Sequence, residues 1–478
     1  MNVVDFVTQY PIATAAMVSS IPLLLVYRST LRSGDERLKI LSMFGLMSCL
    51  LIGTGDLQGW NLALTILNFG LISAIMALGV NLQWGFAGLF NIGVMGFVAL
   101  GGLAAVLISM PPAPGAWAAG GAWRIMLGLL MGAATVVAAV MAQKRLKGRL
   151  RGLVTIAILV VGFFLYRAVF DGGVAFVEAI DPASAGNIGG LNPGGAENYR
   201  AWGWLTIVSW PVGGLIAAGA AWIIGKTALG LRSDYLAIAT LGIAEIIIAI
   251  LKNEDWLARG VKNTIGLPRP VPYEVELQQD AGFVERAASL GLDPVTASTL
   301  YTKIGYSVLF TIVLLILLWL AQTALKSPWG RMMRAIRDNE VAAEAMGKDV
   351  TARHLQIFIL GSAVCGIAGA MMTTLDGQLT PTSYQPLRFT FLVWVMVIVG
   401  GSGNNFGAVL GGMLIWWLWV QVEPLGLGLM EIISSGLAED SALRERLIDA
   451  AAHMRLLTMG VILLLVLRFS PRGLIPER

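Results

Sequence analysis

The chain has 478 residues, of which 56% are hydrophobic and only 13% charged, and its mean hydropathy is +0.75. Soluble domains carry roughly 25% charged residues, so this composition excludes a mainly water-soluble chain and reads as a polytopic membrane protein. The net charge is +4 with a pI near 9.1, but no basic patch on a soluble face points to nucleic acid as a partner.

In chain order, apolar runs suited to spanning a bilayer lie near residues 10–27, 38–55, 60–82, 86–109, 124–142, 152–170, 203–225, 235–251, 304–325, 355–375, 388–400, 404–422 and 456–468. A straight spanning helix needs roughly 20 residues, and runs such as 388–400 and 456–468 are shorter. The expectation is an all-α fold with ten to thirteen transmembrane or half-spanning helices. No Lys or Arg precedes the first run and no small-residue cleavage site follows it, so it reads as a helix with its N-terminus outside rather than a signal peptide.

Cytoplasmic loops collect Lys and Arg. When the spans alternate from an exterior N-terminus, segments 28–39, 143–151, 226–232, 326–353 and 468–478 fall inside. Together they hold 20 of the 33 basic residues. The opposite loops are acidic or polar: residues 171–202 carry Asp171, Glu178, Asp181 and Glu197 against Arg200. The C-terminus is therefore expected in the cytoplasm. The longest exterior segment, 252–303, contains the Pro-rich stretch Gly266 to Tyr273 and is large enough for a lid or docking surface. No segment is large enough for an ATPase domain, so energy supplied as ATP would come from separate chains.

Polar and Gly-rich breaks interrupt the apolar pattern at two places. Asn61, Asn68, Asn81 and Gln83 lead into WGFAGLFNIGVMGF, where Gly85, Gly88, Gly93 and Gly96 flank Asn91 and break what is otherwise a continuous helix. A broken helix at membrane depth leaves backbone N–H groups that favour an anionic substrate group, while close helix packing is the plainer role. GGSGNNFGAVLGG, residues 400–412, holds Gly401, Ser402 and Asn404, and its Gly403, Gly407 and Gly411 form a small-residue face suited to packing. Glu245 lies inside YLAIATLGIAEIIIAIL. An intramembrane carboxylate is costly and faces a cavity or partner, unless it sits near the outer surface with Lys252.

Between two apolar runs stands SPWGRMMRAIRDNEVAAEAMGKDVTAR, residues 327–353. Ser327 suits an N-cap and Pro328 the first helical position; Trp329, Met332, Met333 and Ile336 then recur on one face, with Arg331, Arg334 and Arg337 on the far side. Asp338-Asn339 breaks the pattern before a second short helix, Glu340 to Met346, which Gly347 is placed to end. Glu340 and Glu344 share one face of it, and Val341, Ala342, Ala345 and Met346 the other. Such a hairpin suits either a membrane surface or a groove on another protein.

Enzyme signatures are lacking. AAWIIGKT, residues 220–227, has Ala220 where a phosphate loop requires glycine. Cys49 and Cys365 lie in apolar runs, and His354 and His453 fall on opposite sides of the membrane, so neither pair offers a metal site.

NLQWGFAGLFNIG, LRSDYLAIATLGIAEI, SPWGRMMRAIRDNEVAAEAMGKDV and VWVMVIVGGSGNNFGAVLGG resemble, in the same order, conserved blocks of the LivM-like permeases of branched-chain amino acid ABC importers. The resemblance covers about residues 60–422, and the third block is the most specific. It implies a permease core over residues 59–470, with 1–58 as an N-terminal extension and 423–455 as an exterior insertion. It further implies a cytoplasmic coupling segment, Arg331 to Gly347, that inserts into a groove on an ATPase. The implied partners are a homologous second permease, two cytoplasmic ATPase subunits that bind the ATP and magnesium, and an exterior solute-binding protein in an inner membrane. The substrate would be Leu, Ile, Val or a similar small zwitterion. The chain departs from the family pattern at Ile92-Gly93-Val94 and at Arg259 to Leu267, and urea and short-amide importers share the architecture. An ion-coupled secondary transporter is the other class considered, with Glu245 as its candidate coupling acid.

Overall fold

A computed structural model describes residues 8–33, 35–180, 186–194, 202–231, 233–434, 442–450 and 453–477. The expected apolar runs are helical over most of their length, because a bilayer offers no water to backbone groups and a helix satisfies them within the segment. The principal helices are α1 (Pro11–Ser33), α2 (Glu36–Gln58), α3 (Trp60–Ala87), α4 (Val94–Ser109), α5 (Gly121–Arg145), α6 (Arg149–Glu178), α7 (Trp204–Ala228) and α8 (Ser233–Asn253). There follow α9 (Pro294–Lys326), α10 (Pro328–Asp338), α11 (Glu340–Ala345), α12 (Val350–Asp376), α13 (Leu392–Gly400), α14 (Asn405–Ser434), α15 (Ala442–Ala450) and α16 (Met454–Phe469). Among the described residues, ten of these are long and apolar enough to cross a membrane: α1–α3, α5–α9, α12 and α14. The fold is an all-α polytopic one.

Three expected runs are short helices: α4, α16, and α13 with the π-helical turn Leu387–Phe391 before it. The run 86–109 is not continuous, since α3 extends to Ala87 and residues 88–93 leave the helix before α4. Helix α9 starts well before residue 304, because Asp293 accepts from the N–H groups of Val295 and Thr296 at 3.1 and 3.2 Å and Pro294 fits the first turn. The insertion 423–455 opens as helix rather than loop, since α14 runs through Pro424 to Ser434. Asp181, Glu197, Arg200 and residues 435–441 and 451–452 lie outside the described residues.

The core sits where α3, α4, α7 and α12 cross, with Ile72, Ile75, Leu78, Val98 and Phe358 at 1% exposure or less. Lipid tails are as apolar as leucine, so close backbone packing rather than water exclusion holds such helices together. At Gly101 a Cβ would lie 1.9 Å from the Gly366 carbonyl of α12. The small-residue face of α14 works in the same way: a Cβ on Gly411 would meet the Met396 carbonyl of α13 at 2.0 Å. Gly403 is not on that face, since it precedes the helix with φ +83°.

Loop contacts gather at two ends of the bundle. At one end Asn404 Nδ2 donates to Glu36 at 3.1 Å, and the C-terminal tail docks there through Leu474 N to Val399 O and Ile475 N to Gly400 O, each 2.9 Å. At the other, strand β1 (Thr264–Ile265) pairs antiparallel with β2 (Gln378–Leu379), with Thr264 opposite Leu379. There too Gln58 donates to Gln421 at 2.8 Å and Lys303 Nζ to the Asn61 carbonyl at 3.2 Å.

Candidate coupling surface and transport path

Ser327 and Pro328 start α10 as the sequence predicts, but the Ser327 hydroxyl donates back to the Ala324 carbonyl and gives no side-chain cap. The apolar stripe seats the helix: Met333 and Ile336 are 0% and 1% exposed beneath it. Asn339 performs the capping for the second helix, its Oδ1 accepting from Ala342 N at 3.0 Å, and Gly347 ends it at φ +74°. Both faces of α11 stand clear of the bundle. Glu340, Val341, Ala342, Glu344 and Ala345 are all exposed, as is Met346 beyond them, with Val341 at 76% and Met346 at 79%.

Arg337 ties the hairpin to the bundle. Its guanidinium donates to the Gly85 carbonyl at the end of α3, to Glu477 at 2.7 Å and to Asp338 at 3.2 Å. Burial works against its charge, but the Glu477 and Asp338 carboxylates outweigh it and hold the group above its ordinary range. Arg331 donates to the Lys326 carbonyl at 3.3 Å. Arg331, Arg334 and Arg337 line a cavity of about 740 Å³ with Asp338, Ser402 and Glu477, so the hairpin and the second Gly-rich break meet at one site.

The two breaks are joined directly. Asn81 Nδ2 donates to Asn405 Oδ1 at 3.0 Å, and Asn81 Oδ1 accepts from Gly403 N at 2.9 Å. This contact needs glycine at position 85, where a Cβ would lie 2.4 Å from Gly403 N. Gln83 donates to the Phe358 carbonyl and to Ser362, and accepts from Asn91 at 2.8 Å. Asn91 in turn accepts from Gly93 N at 2.8 Å, and its carbonyl accepts from Trp394 Nε1 at 3.0 Å. A buried side-chain amide left without partners is costly, so these bonds hold the two breaks in register.

The expected open helix N-terminus is therefore largely closed. Ile92 N donates to Thr240 Oγ1 at 3.1 Å, Gly93 N to Asn91, and Met95 N to Thr390 Oγ1 at 3.3 Å. Side chains from α8 and from the π-helical turn occupy the donors that a substrate anion would need. Gly93 and Gly96 act instead as seats for α8: a Cβ on Gly93 would meet the Thr240 carbonyl at 2.4 Å, and one on Gly96 the Ala244 Cα at 2.9 Å. Gly88 caps α3 at φ +69°, and Gly401 turns the chain at φ +117° against the Ile475 carbonyl.

Glu245 is exposed on the flank of α8 beside its buried face and forms no ion pair with Lys252. Sequence reasoning missed Glu477, Thr240, Thr390 and Asn405. Only Asn405 carried a signal, as the second amide of the Asn404-Asn405 pair.

An all-α chain with many membrane crossings, helices interrupted at glycines and a helical hairpin presented at one end has the architecture of a transmembrane permease. The chain belongs to the family described as branched-chain amino acid transport system / permease component, whose model matches residues 62–186 and 194–467. The match begins beyond α1 and α2. The Escherichia coli K12 high-affinity branched-chain amino acid transport system permease protein LivM is 26% identical over 286 residues, 59% of each chain. A probable branched-chain amino acid transport permease protein LivM of Methanocaldococcus jannaschii is 26% identical over 248 residues, 52% of this chain and 61% of its own. The fructose import permease protein FrcC of Rhizobium meliloti is 30% identical over 129 residues, 26% of this chain and 34% of its own. This chain spans about three fifths of the length of the LivM relatives it matches. No solved structure matches it.

Proposed function

We propose that this chain is the membrane permease subunit of an ATP-driven importer for Leu, Ile, Val or a similar small zwitterion. It has no enzymatic role and binds no cofactor of its own; ATP and magnesium belong to two partner ATPase subunits. A second, homologous permease and an exterior solute-binding protein complete the transporter, in a bacterial inner membrane with the N-terminus outside and the C-terminus in the cytoplasm. One observation carries the reading: α10 is anchored by Met333, Ile336 and Arg337, while α11 stands exposed on both faces. A helix built to lie on lipid would turn one apolar face inward and place basic residues beside it. Here Glu340 and Glu344 accompany Val341 and Met346 instead, a pattern suited to a groove on another protein.

In this mechanism, ATP binding draws the α10–α11 hairpins of two permeases together. The movement passes through Arg337 to Gly85 of α3 and to the tail at Glu477, and the path alternates between exterior and cytoplasmic access. The test is uptake into proteoliposomes holding the co-purified complex, with binding protein outside and ATP enclosed. Wild type should require ATP, and Glu340→Arg/Glu344→Arg should lose ATPase association or uptake. Uptake driven by an ion gradient with no ATPase present would overturn the proposal and favour a secondary transporter.

A further inference from the structure

We infer that Glu245 lines the transport path between this chain and a second permease, where its carboxylate receives the ammonium group of the passing amino acid. The inference rests on the importer reading above and assigns the face of α8 at which the two permeases meet. Counting helical rise, Glu245 stands about 18 Å from the Ser233 end of α8 and about 12 Å from the Asn253 end, inside a hydrocarbon core roughly 30 Å thick. A glutamate side chain is too short to reach either surface from that depth.

The inner face of α8 is spoken for. Leu236, Ala237, Thr240, Ala244, Ile248 and Leu251 are buried against the bundle, with Thr240 and Ala244 seated on Gly93 and Gly96. Glu245 lies on the exposed flank of that face, and among the described residues it takes no hydrogen bond or ion pair. Lys252 is two helical turns distant, about 10 Å along the axis. A charge held there against lipid is costly, so intramembrane carboxylates face cavities or partners. This chain supplies neither on that side, so a second protein must.

The residues beside Glu245 shape a path rather than a sealed joint. Gly242 and Ala249, one turn below and one above, are exposed and small, and a Cβ added at Gly242 would meet nothing within 4 Å. They leave a shallow notch around the carboxylate, flanked by Ile238 at 69% exposure and Ile246 at 59%. An acid in an apolar notch complements the two parts of a branched-chain amino acid, an ammonium group and a hydrocarbon side chain. The carboxylate neutralises the ammonium where water is scarce, and the isoleucines meet the alkyl group.

The experiment uses the full complex in proteoliposomes, with ATP enclosed and binding protein outside, and measures leucine, isoleucine and valine uptake beside ATP hydrolysis. Glu245→Gln should lower uptake tenfold or more while stimulated hydrolysis stays within twofold of wild type, and Glu245→Asp should recover part of the uptake. Gly242→Cys, with Glu245 intact, should react with a charged, membrane-impermeant thiosulfonate, and leucine with binding protein should slow that reaction. Uptake by Glu245→Gln within twofold of wild type would overturn the inference. So would labelling of Gly242→Cys by an apolar maleimide but not by the charged reagent, which reads out even where Glu245→Gln fails to assemble. If wild type itself shows no ATP-dependent uptake of these amino acids, the importer reading fails instead.

Discussion

Met333→Ala tests whether the hairpin is held to the bundle by its buried stripe. Met333 is fully buried under α10, and the helix is only 11 residues long, so it has little stability of its own. Truncating a buried methionine to alanine costs about 2–5 kcal/mol through lost contacts and the cavity left behind. Because α10 lies at the end of the bundle, the loss falls on its local opening rather than on the transmembrane core. At about 1.4 kcal/mol per decade, amide exchange over residues 328–338 should accelerate by about 30-fold to several thousandfold. The assay is hydrogen exchange read by mass spectrometry on the protein in nanodiscs. Exchange in 328–338 within threefold of wild type would refute the reasoning. An equal rise over residues 60–87 would refute it too, since it would show a global loosening.

Two further predictions concern contacts between separate elements. The Arg337–Glu477 pair is partly screened, each side chain being 24% exposed, so an Arg337→Ala/Glu477→Ala double-mutant cycle should give a coupling of about 1–2 kcal/mol in the same exchange assay. A coupling below about 0.3 kcal/mol would show that the contact carries no energy. Gly411→Leu should abolish monodisperse protein in detergent gel filtration, because its Cβ would lie 2.0 Å from the Met396 carbonyl. Gly428→Ala, with nothing within 4 Å, should leave the elution profile unchanged.

The elements legible in the residues alone are those whose signal is local. Continuous apolar runs mark the helices, since the bilayer forces each one to satisfy its own backbone. The hairpin at 327–353 was legible because Pro328, Asn339 and Gly347 act on the backbone within a turn or two of themselves. Three of the basic segments, 28–39, 326–353 and 468–478, come together, since Glu36, Gly85, Arg337, Asn404 and Glu477 meet at one end.

Tertiary structure alone decided which face each helix turns inward. In water an apolar stripe opposite a polar one reveals the buried side, but in lipid both sides are apolar and the 3.6-residue period falls silent. Glu245 could therefore be located along α8 but not around it. For the same reason Gly93 read as an open helix end, when its neighbours' donors are taken by Thr240 and Thr390, 148 and 295 residues away from their partners. Asn81 and Asn405, 324 residues apart, join the two breaks into one structure by a contact that no local pattern encodes.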